Sequence, residues 1–103
     1  MKKKSPSKKK LPYSIVRTYS AGVFAGNLVN RKGQEGTVKN ARRIWYWSGA
    51  ASLSQLAMEG TKDPANCKFP CEVSEILLTQ IIEVLSCSAV AEASIKSVPV
   101  WQK

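Results

Sequence analysis

Apolar and polar positions alternate along YSIVRTY, residues 13–19, with Tyr13, Ile15, Arg17 and Tyr19 on one side and Ser14, Val16 and Thr18 on the other. A period of two in a segment rich in β-branched and aromatic residues predicts a strand. AGVFAGNLV, 21–29, continues in the same style, and Gly22 and Gly26 share a side with Phe24 and Leu28. Glycine inside a strand predicts a bulge or a neighbour lying close against the backbone, such as an aromatic ring across the bare position. NRKGQEG, 30–36, is polar with two glycines and predicts a hairpin loop. TVKNARRIWYW, 37–47, predicts a returning strand with a break near Asn40, ended by Ser48 and Gly49.

The period then changes. AASLSQLAMEG, 50–60, predicts a short helix with Ser52 as N-cap, Gln55 three residues on as in a capping box, and Gly60 as the stop. Leu53, Leu56 and Ala57 line one side, and two turns need a sheet to dock against. TKDPANCKFP, 61–70, reads as loop. CEVSEILLTQIIEVLSC, 71–87, satisfies both helical and strand spacing, and its isoleucine and valine density favours strand. SAVAEASIKS, 88–97, predicts a helix capped by Ser88, and VPVW, 98–101, a short terminal strand whose Pro99 suits an edge. The sum is a small α+β domain over residues 13–103. It has a mostly antiparallel curled sheet or half-open barrel of roughly five strands, with two short helices.

Charge changes the picture at one end. The 103-residue chain carries a net charge of +9, and residues 1–10 hold six lysines and no acid. Removing those six from the 16 basic residues leaves ten against seven acids, or +3, so the body is only mildly basic. Residues 1–12 read as a disordered lysine-rich tail in which Pro6 and Pro12 oppose helix. Two readings of the tail stay open. It is a solubilising arm, or Lys2, Lys3, Lys4, Lys8, Lys9 and Lys10 grip nucleic-acid phosphates without sequence preference, in which case salt weakens the grip steeply. The N-terminal charge leads into Pro12 and an alternating segment, not the apolar run of a secretory signal. No apolar run approaches the roughly 18 residues of a membrane span. Three cysteines without a signal read as reduced thiols in a cytoplasm.

The chemistry on offer is narrow. The chain has no histidine, which removes the commonest general base and activator of nucleophiles. The acids Glu35, Glu59, Asp63, Glu72, Glu75, Glu83 and Glu92 form no pair that spacing marks as catalytic. Cys67 and Cys71 are spaced C-x3-C with Cys87 sixteen further on, but a fourth thiol or imidazole is missing and packing as small hydrophobes is the plainer role. SAGVFAG, 20–26, is no phosphate-binding glycine loop. The expectation is a non-enzymatic protein with no metal and no cofactor.

RRIWYW, 42–47, carries the most information. As a strand it would send Arg42, Ile44 and Tyr46 one way and Arg43, Trp45 and Trp47 the other. One side should meet the core. The other needs a helix, a second subunit or a ligand, because large apolar surface is seldom left bare. Either the tryptophans fill the core and the arginines lie over aromatic rings or pair with glutamates, or the strand is a recognition surface. In the second case the rings stack and the guanidinium groups meet phosphate. Ser52 and the first helical amides follow directly, a further place for an anion. The candidate ligand-binding set is Arg42, Arg43, Trp45, Tyr46, Trp47 and Ser52.

The blocks YSIVRTYSAGVFAGNLV, NARRIWYWSGAASLSQLA and EILLTQIIEV, with the closing IKSVPVW, resemble a family of small proteins of tailed bacteriophages and prophages. That family has no assigned function, so no site residue carries over. The resemblance implies a viral accessory or virion protein acting in the cytoplasm of a bacterial host. The leading expectation is a non-enzymatic phage accessory protein that binds an anionic nucleotide-type ligand or nucleic acid, one version being a homo-oligomer that sequesters a host defence signal. Its rivals are a virion- or DNA-associated structural protein using the tail, and an inhibitor that presents the aromatic surface to a host protein.

Overall fold

The computed structural model describes residues 13–102; the expectations for the lysine tail fall outside them. Five strands form one sheet: β1 (Tyr13–Thr18), β2 (Val23–Lys32), β3 (Glu35–Arg43), β4 (Val73–Leu78) and β5 (Ile81–Ser86). Their order is β4-β3-β2-β1-β5, and every neighbouring pair is antiparallel. Helix α1 (Leu53–Glu59) and a short 3-10 turn (Pro64–Asn66) fill the β3–β4 connection, and α2 (Ala89–Ser97) follows β5. The expected α+β class with an antiparallel sheet and two helices is what forms.

The order contains a geometric demand. β4 and β5 occupy opposite edges, yet only Thr79 and Gln80 separate them. Three Cα–Cα steps of about 3.8 Å let Leu78 and Ile81 lie at most about 11 Å apart. A flat sheet of this order would put its edges about 19 Å apart. The sheet therefore curls until its edges approach at this corner, without pairing with each other. Backbone bonds from Tyr19 to the Gln80 carbonyl and from Ile81 to the Gln34 carbonyl, each 2.9 Å, hold the corner. Gly36 leaves it room, since a Cβ there would lie 3.0 Å from both Ile81 Cδ1 and Leu28 Cδ1. The single strand predicted over 71–87 is thus two strands, because breaking at Thr79–Gln80 lets both Leu78 and Ile81 reach the inside of the curl.

Both faces of the sheet are covered, by different means. One face of β1 and β2 (Tyr13, Ile15, Ala25) packs with Leu56 and Ala57 of α1 and Ile95 of α2. The other (Val16, Phe24, Leu28) packs with Val38, Leu78 and Ile81, the sheet closing on itself. This is why central β1 is buried at nearly every position while its apolar side chains still alternate between two cores.

Gly26 answers to a bulge. Asn27 pairs with Lys39 but Ala25 pairs with Arg42, so β3 carries an extra residue, and Asn40 beside it has φ 55. A Cβ on Gly26 would sit 2.7 Å from Val38 Cγ1 and 2.8 Å from the Lys39 carbonyl oxygen. Backbone, not an aromatic ring, lies across the bare position. Gly22 is not in the strand: it closes the turn before β2 at φ 110. The 30–36 loop also shrinks, since β2 runs to Lys32 and β3 starts at Glu35, leaving Gly33 and Gln34 as the turn.

The helix caps stand as expected. Ser52 Oγ accepts from Gln55 N at 3.1 Å, Ser88 Oγ accepts from Ala91 N at 3.0 Å, and Gly60 ends α1 at φ 77. Gln55 Oε1 reaches back one residue further than a capping box requires, to the amide of Ala51. The terminal strand expected at 98–101 reduces to one bridge between Phe69 and Val100.

Candidate functional site

The strand expected through Trp47 stops at Arg43, and the reason is local. Ile44 N still bonds the Val23 carbonyl of β2 at 2.8 Å. Trp45 N and Tyr46 N then both donate to one acceptor, the Lys68 carbonyl, at 3.1 and 3.3 Å, and Lys68 N returns a bond to the Tyr46 carbonyl. Two residues opposite one make a bulge, which puts consecutive side chains on the same side. Trp45 and Tyr46 both face solvent, 64% and 52% exposed, so the two-sided alternation predicted for 42–47 holds only to Ile44. Before the bulge, Arg42 and Ile44 point inward as a pair and Arg43 points the other way.

Arg43 and the rings after it line a groove of about 340 Å³ together with the turn Ser20–Gly22. That turn is held firmly. Thr18 Oγ1 donates to the Gly22 carbonyl at 2.8 Å and accepts from Ala21 N at 2.9 Å. The Arg43 guanidinium carbon lies 4.5 Å from the Phe24 ring centroid, and its Nη1 donates to the Ala21 carbonyl at 2.5 Å. A Cβ on Gly22 would press on that nitrogen at 3.2 Å. A guanidinium has five N–H donors. One of them is used here, and no carboxylate pairs with Arg43 among the described residues. Trp47 forms a fixed wall: its Nε1 donates to the Ala50 carbonyl at 3.1 Å, and its ring packs on the helix-side core.

Trp45 carries the surface onward. Its ring is parallel to that of Trp101, centroids 6.3 Å apart and planes 6° apart. Trp101 is 40% exposed and is held by its backbone N–H, which donates to the Phe69 carbonyl at 2.9 Å. Lys68 Nζ sits 5.9 Å from the Tyr46 ring and 5.7 Å from Trp101. Sequence reasoning put neither Lys68 nor Trp101 in the site, nor the turn Ser20–Gly22. The paired backbone of 45–46 with 68 and of 69 with 100–101 brings in Lys68 and Trp101, and the Ile44–Val23 and Arg43–Ala21 bonds bring in the turn.

Of the six candidate ligand residues, Arg43, Trp45 and Trp47 share the groove, and Tyr46 lies on the adjoining patch. Ser52 is spent as the cap of a seven-residue helix and does not line the groove. Arg42 is 5% exposed and committed to the interior. It donates to the carbonyls of Pro70 (3.2 Å), Ile95 (3.0 Å) and Phe69 (3.2 Å), with its guanidinium 5.4 Å from the Phe69 ring. It ties the end of α2 to the 69–70 segment, and burial pulls its pKa below the usual range.

The titratable groups with displaced pKa values are all displaced mainly by burial. Burial, then Glu92, pushes the Cys87 thiol up to about 11, and burial, then Cys87, raises the Tyr13 phenol above its ordinary range. Such shifts make a thiol less ready to ionise, the reverse of an activated nucleophile. Cys67 is buried, with its Sγ 3.4 Å from Ser48 N; Cys71 is exposed, and the three cysteines are free. Glu83 pairs with Arg17 at 2.7 Å on β5, while Glu75 faces Lys39 across β4 and β3. No three residues of metal-binding type gather among the described residues. No helix among them is long and apolar enough to cross a membrane.

A family described as a domain of unknown function (DUF6948) matches residues 11–95, and the chain belongs to it. No curated protein and no solved structure matches the chain.

Proposed function

We propose that this DUF6948 member is a binding module without catalytic activity that takes an anionic nucleotide-type ligand in the groove of Arg43, Trp45 and Trp47. The reading is supported by one arrangement: a guanidinium that uses one of its five donors among the described residues and an exposed indole line the same groove, whose size suits a small molecule. Arg43 meets phosphate through its planar fork, and Trp45 stacks a base, a contact worth about 1–3 kcal/mol. The lack of histidine and the burial-locked thiol argue for binding over chemistry. The viral origin and the host cytoplasm rest on the resemblance carried by residues 40–57; a homo-oligomer that sequesters a host signal is one version of this reading.

Thermal shift and calorimetry against cyclic and ADP-ribose-type nucleotides test this. A ligand should raise the Tm of the full chain equally with and without residues 1–10. Arg43→Gln and Trp45→Ala should each weaken binding about tenfold, as expected for loss of a charge-assisted bond or a stack. A ligand bound as tightly by both variants as by the parent removes the groove from consideration.

A second reading has its own observation. Tyr46, Lys68 and Trp101 extend the aromatic and cationic surface beyond one nucleotide's reach. A single-stranded nucleic acid would use that length, and the lysines at 2–10 would add affinity. Oligonucleotide affinity that falls steeply with salt and with deletion of residues 1–10 selects this reading.

A further inference from the structure

A second cavity of about 150 Å³, which shares no lining residue with the groove, opens beside the end of α2. Its floor is Tyr13, Arg42 and Val98, all buried, and its rim is Glu72, Lys96 and Val100, all exposed. Hydrogen-bond donors dominate its polar lining. Three of the five Arg42 N–H groups go to carbonyls, which leaves two without a protein acceptor among the described residues. Tyr13 is 4% exposed and its hydroxyl has no hydrogen-bond partner among the described residues, a costly state for a buried polar group. Lys96 Nζ hangs 5.0 Å from the Tyr13 ring centroid, paired to Glu92 at 2.7 Å but with protons to spare. The one acceptor side chain on the rim, Glu72, lies within ion-pair distance of neither cation.

Among the described residues, a buried guanidinium without an ion pair, a phenol without a hydrogen-bond partner and a lysine surround one small space, and Glu72 on the rim pairs with none of them. We infer that this cavity binds a small oxyanion, a phosphate or carboxylate group, held by Arg42 and Tyr13 and covered by Lys96. The volume suits it, since water occupies about 30 Å³ per molecule in the liquid, so the space holds an anion of a few heavy atoms. Glu72 and the carbonyl end of α2 oppose the anion, and Arg42 already meets the latter through the Ile95 carbonyl. The site is separate from the Arg43 groove, so either can fail without the other.

The test uses the full chain with inorganic phosphate and, separately, acetate, at constant ionic strength, read by thermal shift and by titration calorimetry. One of the two anions should raise Tm in the millimolar range or below, and which one does so tells phosphate from carboxylate. Tyr13→Phe removes only the hydroxyl and should weaken that anion about tenfold. Lys96→Met should weaken it about threefold, and Glu72→Gln should tighten it. Circular dichroism confirms that each variant is folded. The inference is overturned if neither anion moves Tm, or if Tyr13→Phe and Lys96→Met respond like the parent. It is equally overturned if Glu72→Gln destabilises the anion-free protein and leaves anion affinity unchanged, because Glu72 is then the resident counter-charge.

Discussion

Arg42 and Arg43 are adjacent in the chain and opposite in circumstance. Arg42 points to the helix side, where three carbonyls take its protons and the end of α2 rests on it. Arg43 points to the other face, over the Phe24 ring, with one backbone bond and open groove around it. A strand sends neighbours to opposite faces, so residue type alone says nothing about which arginine is structural. What separates them is what covers each face. The end of α2 and residues 69–70 supply carbonyls to Arg42, whereas Arg43 meets the Phe24 ring and a single carbonyl of the Ser20–Gly22 turn.

Shortening each side chain separates the two roles. Arg42→Ala leaves three carbonyls without their donor and opens the core, and should cost about 4 kcal/mol in denaturant unfolding. Arg43→Ala loses a half-exposed ring contact and one bond, about 1 kcal/mol. Equal costs would mean that the groove is a structural joint. Next in size is Gly26→Ala, which drives a methyl into the bulge that precedes both arginines and should cost about 2 kcal/mol by the same measurement.

Alkali probes the helix side alone. The folded Cys87 thiol ionises at about 11 and Tyr13 higher still, while the unfolded thiol ionises near 8.5 and the phenol near 10. The unfolded state therefore loses its protons first. The Cys87 contribution is complete below about pH 8.5 and is lost as pH rises through about 11, and that of Tyr13 begins to fall above about pH 10 and is lost at still higher pH. Cys87→Ala should flatten that decline, and Cys71 should react with iodoacetamide long before Cys87 does. The smallest stability effect belongs to Trp45→Ala, which forfeits a half-solvated stack with Trp101, about 0.5 kcal/mol. If it costs several times more, Trp45 is a core residue and not a free platform.

Strand positions 13–18 and 23–29, both helix caps and the break at Asn40 were legible because each depends on neighbours a few residues away. The period of two marks β1, Ser52 and Ser88 lie just before their first helical turns, and Asn tolerates the φ that a bulge requires. The far end of β3 was not legible. Its alternation fails at Trp45 because the Lys68 carbonyl accepts two amides, and nothing near residue 45 announces residue 68. The candidate site was half readable for the same reason. Arg43, Trp45 and Trp47 advertise themselves by type, while Lys68, Trp101 and the Ser20–Gly22 turn join them only across long separations.

The amino-acid order determined by itself the local periods, the caps, the charge on the tail and the absence of imidazole chemistry, since these need only short-range sterics and composition. Tertiary structure alone decided that Thr79–Gln80 turns a corner between the sheet's two edges, that one arginine is enclosed and its neighbour half-exposed, and that the Tyr13 hydroxyl has no hydrogen-bond partner among the described residues. Those outcomes depend on which surfaces meet after the sheet curls, and contacts between segments tens of residues apart leave no periodic mark on either one.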